Sequence, residues 1–193
     1  MSFKFDFDPD THRYTLNGER LPSVTEVLEP EEQLDGIPAE DLARGRERGH
    51  HVHVACALLC YNNLEWSKLD PLLVPRVSAA RKFLKETNFT ILRVEHRMFD
   101  PTLKVAGTLD LFGVMNRFSW IIDWKSGMVS RTAGPQTAAY DNLFRQSFGG
   151  RENKRGVVEL HDDGSYRLRP QEDKRDYSIF KSCLNLHHWR NRT

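Results

Sequence analysis

The stretch Trp120–Gly127, W-I-I-D-W-K-S-G, places an acid and a base two residues apart on an apolar run. The run reads as a short buried strand, on which Asp123 and Lys125 project to the same side. Ser126 and Gly127 end it with turn chemistry. A carboxylate and an ammonium at the end of a hydrophobic strand are costly unless paired or put to use. The two are therefore either an ion pair at a buried edge or part of a reactive centre. Asp110, in G-T-L-D, stands thirteen residues earlier, across a tight turn. Antiparallel neighbours joined this way set the two carboxylates near each other at one end of a sheet. Each raises the pKa of the other unless a cation lies between them. A divalent metal resolves that repulsion, and hard carboxylate oxygens suit Mg²⁺ or Mn²⁺ rather than Zn²⁺. Glu95 can supply a third carboxylate from the strand before, and His53 can reach the site from a helix.

Each of these residues also has an ordinary explanation when taken alone. Asp110 reads as a strand-end acid, His53 as a satisfied core histidine and Glu95 as a surface strand residue. Gln136 and Tyr140, one helical turn apart, read as plain helix face. His50 and His51 are expected in solvent. Cys56 and Cys60, spaced i and i+4, offer a weaker alternative in which they bind Zn²⁺ with the histidines.

The elements that must position these groups follow from hydrophobic period and turn residues. Phe3, Phe5 and Phe7 alternate with polar residues, and Asp8-Pro9-Asp10 turns the chain into a returning strand, His12 to Leu16. Asn17-Gly18 makes a second tight turn. Ser23 and Glu26 form a capping box for a short helix carrying Val24, Val27 and Leu28. Residues Pro30 to Ile37 are acidic and loop-like. A long helix is expected from Pro38 to Tyr61, with Val52, Cys56 and Leu59 inward and Gly45 and Gly49 leaving one face bare to another backbone. A second helix is expected over Pro71–Thr87, with Leu73, Val77, Ala80 and Leu84 inward. Three strands follow: Ile91–Phe99, Val105–Met115 and Ser119–Lys125. In the first, strict alternation puts Glu95 on one side and Val94 and His96 together on the other. Pro135 suits the first turn of a helix carrying Gln136, Tyr140, Leu143, Phe144 and Phe148, which Gly149-Gly150 stops. A hairpin over Asp162-Asp163-Gly164 and a last helix, Asp173 to Trp189, anchored by Tyr177, Phe180, Leu184 and Trp189, complete the chain.

Composition narrows the class of protein. Lys plus Arg number 28 against 27 Asp plus Glu, so bulk charge does not announce nucleic acid. Basic residues nevertheless cluster, as at Arg44, Arg46 and Arg48. No apolar run approaches membrane-spanning length and no leader is evident at the amino terminus. Three cysteines, Cys56, Cys60 and Cys183, with no C-x-x-C, suggest reduced thiols in a cytosol-like compartment.

Taken in order, G-x-x-x-H (Gly49 to His53), Glu95, G-T-x-D (Gly107 to Asp110), I-I-D-W-K-S-G and Q-x-x-x-Y (Gln136 to Tyr140) resemble the PD-(D/E)XK nuclease superfamily. Within it, the chain is most similar to the RecB-like exonuclease branch, including small phage and prophage members. The resemblance implies an α/β fold with a restriction-endonuclease-like core, a central mixed sheet flanked by helices, an N-terminal hairpin and a C-terminal helix. It implies one nuclease domain over residues 1–193, divided into 1–30, a catalytic core 38–148, and 156–193. By the same analogy His53, Asp110, Asp123 and the Trp124 carbonyl would hold Mg²⁺ or Mn²⁺, Lys125 would orient or activate water, and Glu95 would assist. Gln136 and Tyr140 would touch the scissile phosphate or the DNA path, and Arg44, Arg48, Arg97 and Arg131 would contact phosphates. Some relatives carry an iron–sulfur cluster on four cysteines. With only Cys183 late in this chain, none is expected here.

The expected activity is a metal-dependent deoxyribonuclease, an exonuclease more than an endonuclease. It would act on duplex ends or single strands in recombination, repair or phage replication, in the cytoplasm of a bacterium or infected host, with a possible recombination or replication partner. Two alternatives stand beside it. One is a catalytically silent nucleic-acid-binding member of the fold. The other is a structural metal-binding domain in which Asp123–Lys125 is only an ion pair.

Overall fold

The computed structural model describes residues 3–32 and 36–191. At its centre is a five-stranded mixed sheet of β4 (Thr90–Asp100), β5 (Val105–Met115), β6 (Phe118–Lys125), β7 (Lys154–Leu160) and β8 (Tyr166–Pro170), paired in that order. All neighbours run antiparallel except β6 and β7. That parallel pair needs a crossover, which α4 (Ala133–Phe148) supplies. Strand β6 alternates faces: Ile121 packs with α1 (Val24–Leu28), α4 and α5 (Asp176–Arg190), while Ile122 and Trp124 pack with α2 (Ala39–Cys60) and α3 (Val74–Glu86). The sheet is thus covered on both sides, the arrangement expected from the sequence.

A separate meander of β1 (Phe5–Asp8), β2 (Arg13–Leu16) and β3 (Glu19–Leu21) packs Tyr14, Leu16 and Leu21 on Ala106 of β5. The Ala106 N–H donates to the Pro22 carbonyl at 3.0 Å, and Tyr14 and Thr108 share a hydroxyl hydrogen bond of 2.7 Å, docking the meander on the sheet. The turn at Asn17 and Gly18 has φ of 53° and 86°, the mirror-image turn of tight hairpins. The chain beyond it forms a third strand that the sequence reading had as a connection, because three residues show no period. Of the expected acidic loop, residues 33–35 lie outside the described residues.

Several expectations are corrected. Only half of the capping box forms: Ser23 Oγ accepts from the Glu26 N–H, but the Glu26 carboxylate accepts from Arg20 instead. Helix α3 begins at Val74 because a turn around Asp70 takes up the preceding residues. Trp189, expected as an anchor, is exposed at the end of its helix, as is Phe148 at the end of α4. Among the described residues, a Cβ at Gly45 would meet nothing and one at Gly49 only Ser126 Oγ at 3.7 Å, so none of their backbone approaches that face closely. The alternation expected on β4 also fails. A bulge between Ile91 and Arg93 shifts the register, and Glu95 takes φ of 47°. Opposite it, Leu109 packs toward α4, whereas Asp110 and Leu111 in succession both face α2. The sheet changes phase beside the acidic residues.

Candidate active site

The two-residue turn at Asn116 and Arg117, with φ of 52° and 68°, fixes the β5–β6 register. Leu111 pairs with Ile122, which brings Asp110 abreast of Asp123. Both carboxylates are buried. Asp110 Oδ2 accepts the Trp124 N–H at 2.8 Å, and its Oδ1 lies 3.2 Å from His53 Nδ1 on α2. Glu95 comes from β4, its carboxylate presented by the irregular backbone. One ligand atom each from His53, Glu95 and Asp110 lies within 4.8 Å of the others.

Asp123 belongs to a second chain of contacts. Its Oδ1 accepts from Gln136 Nε2 at 2.9 Å, and Lys125 Nζ lies 2.8 Å from its Oδ2. Lys125 Nζ donates to Gln136 Oε1 at 3.0 Å, and Gln136 Nε2 also reaches the Tyr140 hydroxyl at 3.3 Å. Oδ2 is buried, and the Lys125 ammonium is its one polar partner among the described residues. A buried carboxylate oxygen held by a single ammonium keeps a lone pair that a second cation could use. Gly107 explains the glycine of G-T-x-D: a Cβ there would stand 2.8 Å from Tyr140 Cε1, so the Tyr140 ring rests on bare backbone.

Charge at the site is held in two forms. Burial would lower the His53 pKa, but the adjacent Asp110 carboxylate outweighs it and lifts the imidazole to about 9. Burial would likewise raise Asp110, and the His53 charge and hydrogen bond hold it below its ordinary value. Desolvation, helped by Asp110, pushes Glu95 up to about 7. Asp123 is raised mainly by burial. Lys125 is raised because Asp123 and Asp110 outweigh its own desolvation, so it stays an ammonium. Cys56 and Cys60 are pushed up by burial, the latter to about 12, and neither joins the His53 ligand group among the described residues.

A cavity of about 540 Å³ opens above these groups, bounded by α2, β4 and the meander. Of the four arginines expected on a DNA path, Arg97 lines it, with its guanidinium 4.3 Å from the Phe7 ring centroid. Arg44 pairs with Asp41 on its own helix, and Arg131 ties its loop to Glu31. Arg48 is exposed and does not line the cavity. Arg46 does, although its guanidinium also pairs with Glu29 at 2.7 Å, and so does His50; neither is among the site residues expected from the sequence. The signal was available, since positions 46, 50, 53 and 57 share one helical face.

No family model matches the chain, and no curated protein matches it. Solved structures do. The fold is similar to that of an alkaline exonuclease from Laribacter hongkongensis, at 11% identity and a TM-score of 0.44, over 87% of this chain and 86% of that one. The same exonuclease in complex with dAMP covers 88% of this chain and 87% of its own, at 11% identity and a TM-score of 0.40.

The motifs quoted from the sequence lie on adjoining elements: Asp110 on β5, Asp123 and Lys125 on β6, and Gln136 and Tyr140 on α4. No helix among the described residues is long and apolar enough to cross a membrane.

Proposed function

We propose that the chain is a Mg²⁺- or Mn²⁺-dependent deoxyribonuclease that hydrolyses phosphodiester bonds, acting from DNA ends or on single strands. The observation that carries this reading is the convergence of His53, Glu95 and Asp110 beside the Asp123–Lys125–Gln136 chain on the floor of one cavity. The donor set fits a divalent cation, being two carboxylates and one imidazole. His53, Asp110 and Glu95 would hold the ion, with Asp123 and the Trp124 carbonyl completing the set that the family resemblance implies. When bound, it would lower the pKa of a water molecule and offset charge on the phosphoryl group.

The chain's own residues do the rest. The Lys125 ammonium, aimed by Gln136 Oε1 and Asp123, faces the cavity and can orient a water or receive charge that develops on a phosphate oxygen. Gln136 acts on Lys125 and Asp123 together and is itself steadied by Tyr140. Its amide bonds to the site's own groups, and its side chain lines the cavity where the resemblance implies the scissile phosphate or the DNA path. Arg46, Arg97 and His50 line the approach and suit a polyanion.

The test is cleavage of end-labelled single-stranded and duplex DNA by wild type and Asp123→Ala, with Mg²⁺, Mn²⁺ or EDTA. Short-oligomer release by wild type alone, lost in EDTA, is the expected result, and the labelled end gives the polarity. Full metal-dependent cleavage by Asp123→Ala would overturn the proposal. DNA binding without cleavage under any metal would point to a silent binding protein.

A further inference from the structure

Helix α3 opens on a cation. Arg76 stands in its first turn, where the free backbone N–H groups favour an acid, and no acid is there. The other basic residues of α3, Arg81, Lys82 and Lys85, are exposed, whereas Arg76 is only 6% exposed. A guanidinium that is both buried and at the unfavourable end of a helix depends on its partners. Nε donates to the Ser126 carbonyl at 3.2 Å, and Nη1 pairs with Asp162 in the β7–β8 turn. That turn lies against the start of α3, where a Cβ on Gly164 would stand 3.8 Å from the Pro75 carbonyl. Asp162 is exposed, so it is the outer partner and Ser126 the inner one.

Ser126 is the residue after Lys125. The pairing of β6 with β7 ends at Lys125, opposite Glu159. The Lys125 side chain leaves from this last rung and carries its ammonium to Asp123 Oδ2 at 2.8 Å and Gln136 Oε1 at 3.0 Å. Those two acceptors fix the head of a long, flexible stem. Its root is fixed on one side by the ladder and on the other by the hydrogen bond from Arg76. We infer that Arg76 is a positioning residue for Lys125, clamping the end of β6 from which the ammonium is aimed into the cavity. Arg76 does not line that cavity, so it acts through Lys125 and not on a substrate. The inference rests on the phosphodiesterase reading. A cation that meets charge developing on a phosphate oxygen must be held closely, and a misplacement of about 1 Å can lower the rate on the order of a hundredfold.

The test compares wild type with Arg76→Ala, well below the melting temperature of either, in the cleavage of end-labelled single-stranded DNA with Mn²⁺. The expected result is a kcat lower on the order of tenfold to a hundredfold, with KM within about twofold of wild type. Ethylguanidinium at millimolar concentration should restore part of the lost rate by filling the space left by the side chain. A second reading needs no turnover: labelling of Lys125 by acetic anhydride, followed by mass spectrometry against the exposed Lys174. Held between two acceptors, Lys125 should label slowly in wild type and several-fold faster in Arg76→Ala. Asp162→Ala, at an exposed position, should shift both readings the same way by a smaller factor, and it decides the matter if Arg76→Ala does not fold. A lowered melting temperature with kcat and labelling as in wild type, or a raised KM with kcat unchanged, would overturn the positioning role and leave the nuclease standing. No cleavage by wild type in Mg²⁺ or Mn²⁺ would overturn the nuclease. Faster labelling of Arg76→Ala would then still establish the clamp on Lys125, and unchanged labelling would overturn both.

Discussion

Two clusters of buried charge flank the β6–α4–β7 unit, and they are built to opposite rules. At one, Arg155 donates to Asp176 Oδ2 at 3.0 Å, to the Gly134 carbonyl at 2.9 Å and to the Asp173 carbonyl at 3.2 Å. Gly134 is required there, because a Cβ would stand 2.5 Å from Asp176 Oδ1. Nearby, Asp141 Oδ1 accepts both the backbone and side-chain N–H groups of Asn153. Every one of these groups finds a partner, although Asn153 and Arg155 also line a cavity of about 450 Å³. At the other cluster, Asp123 Oδ2 has only the Lys125 ammonium as a partner among the described residues, Glu95 is held on left-handed backbone, and Glu95, Asp110 and Asp123 line a cavity of about 540 Å³. Buried charge therefore does not identify a reactive site. Incomplete satisfaction beside a cavity does, since a purely structural pair is stable only when its remaining lone pairs and protons are met.

The comparison breaks first at Arg155. Arg155→Met strands Asp176 in the interior and should cost about 3–5 kcal/mol of unfolding free energy, read by urea denaturation. A loss near zero would mean that this cluster, too, is loosely held. Asp123→Asn should behave in the opposite way. It removes a carboxylate that burial and Asp110 already disfavour as an anion, so the melting temperature should hold or rise. The cleavage rate should fall about a hundred- to a thousandfold. If the same change unfolds the protein, the site is a structural ion pair after all. Gly107→Ala tests the support beneath the site. The added methyl must push the buried Tyr140 ring, for a loss of about 1–3 kcal/mol and a displaced Gln136.

Where local chemistry is strong, the sequence foretells the structure. Strand β5 is found over the residues expected, because its run is apolar on both faces and bounded by turns. The Asp110–Asp123 juxtaposition was legible because a two-residue turn leaves the register little freedom. Other features have no local signal. The bulge at Leu92 and the left-handed Glu95 arise from the fit of β4 to β5, and Glu is not a residue that asks for positive φ. The role of Gln136 as the link between Lys125 and Asp123 depends on the α4 crossover, a contact between distant segments. Arg46 was masked by its neighbours Arg44 and Arg48, and only the helical phase it shares with His53 separates it from them. Trp189 looked like an anchor because of its size, but in the last turn of α5 it is His188 that reaches the Leu103 carbonyl, while Trp189 is exposed.

The smallest effect expected is also the one that tells a metal site from an ion pair. In the metal-free protein His53 is raised to about 9 and Glu95 to about 7, both above their ordinary values. A raised group favours the folded state while protonated there, so its contribution is present below its unfolded pKa and lost as pH rises through the folded one. For Glu95 that window runs from about 4.5 to about 7, and for His53 from about 6.5 to about 9. In EDTA the melting temperature should therefore drift down across neutral and mildly alkaline pH on account of these two groups. A bound cation demands neutral His53 and ionised Glu95, so it must expel both protons. With saturating Mn²⁺ the drift should flatten or reverse, and the stabilisation by Mn²⁺ should grow with pH. An His53→Ala protein should lose most of that growth. An unchanged pH profile with and without Mn²⁺ would place the site in the same class as Arg155 and Asp176, as charge buried for structure alone.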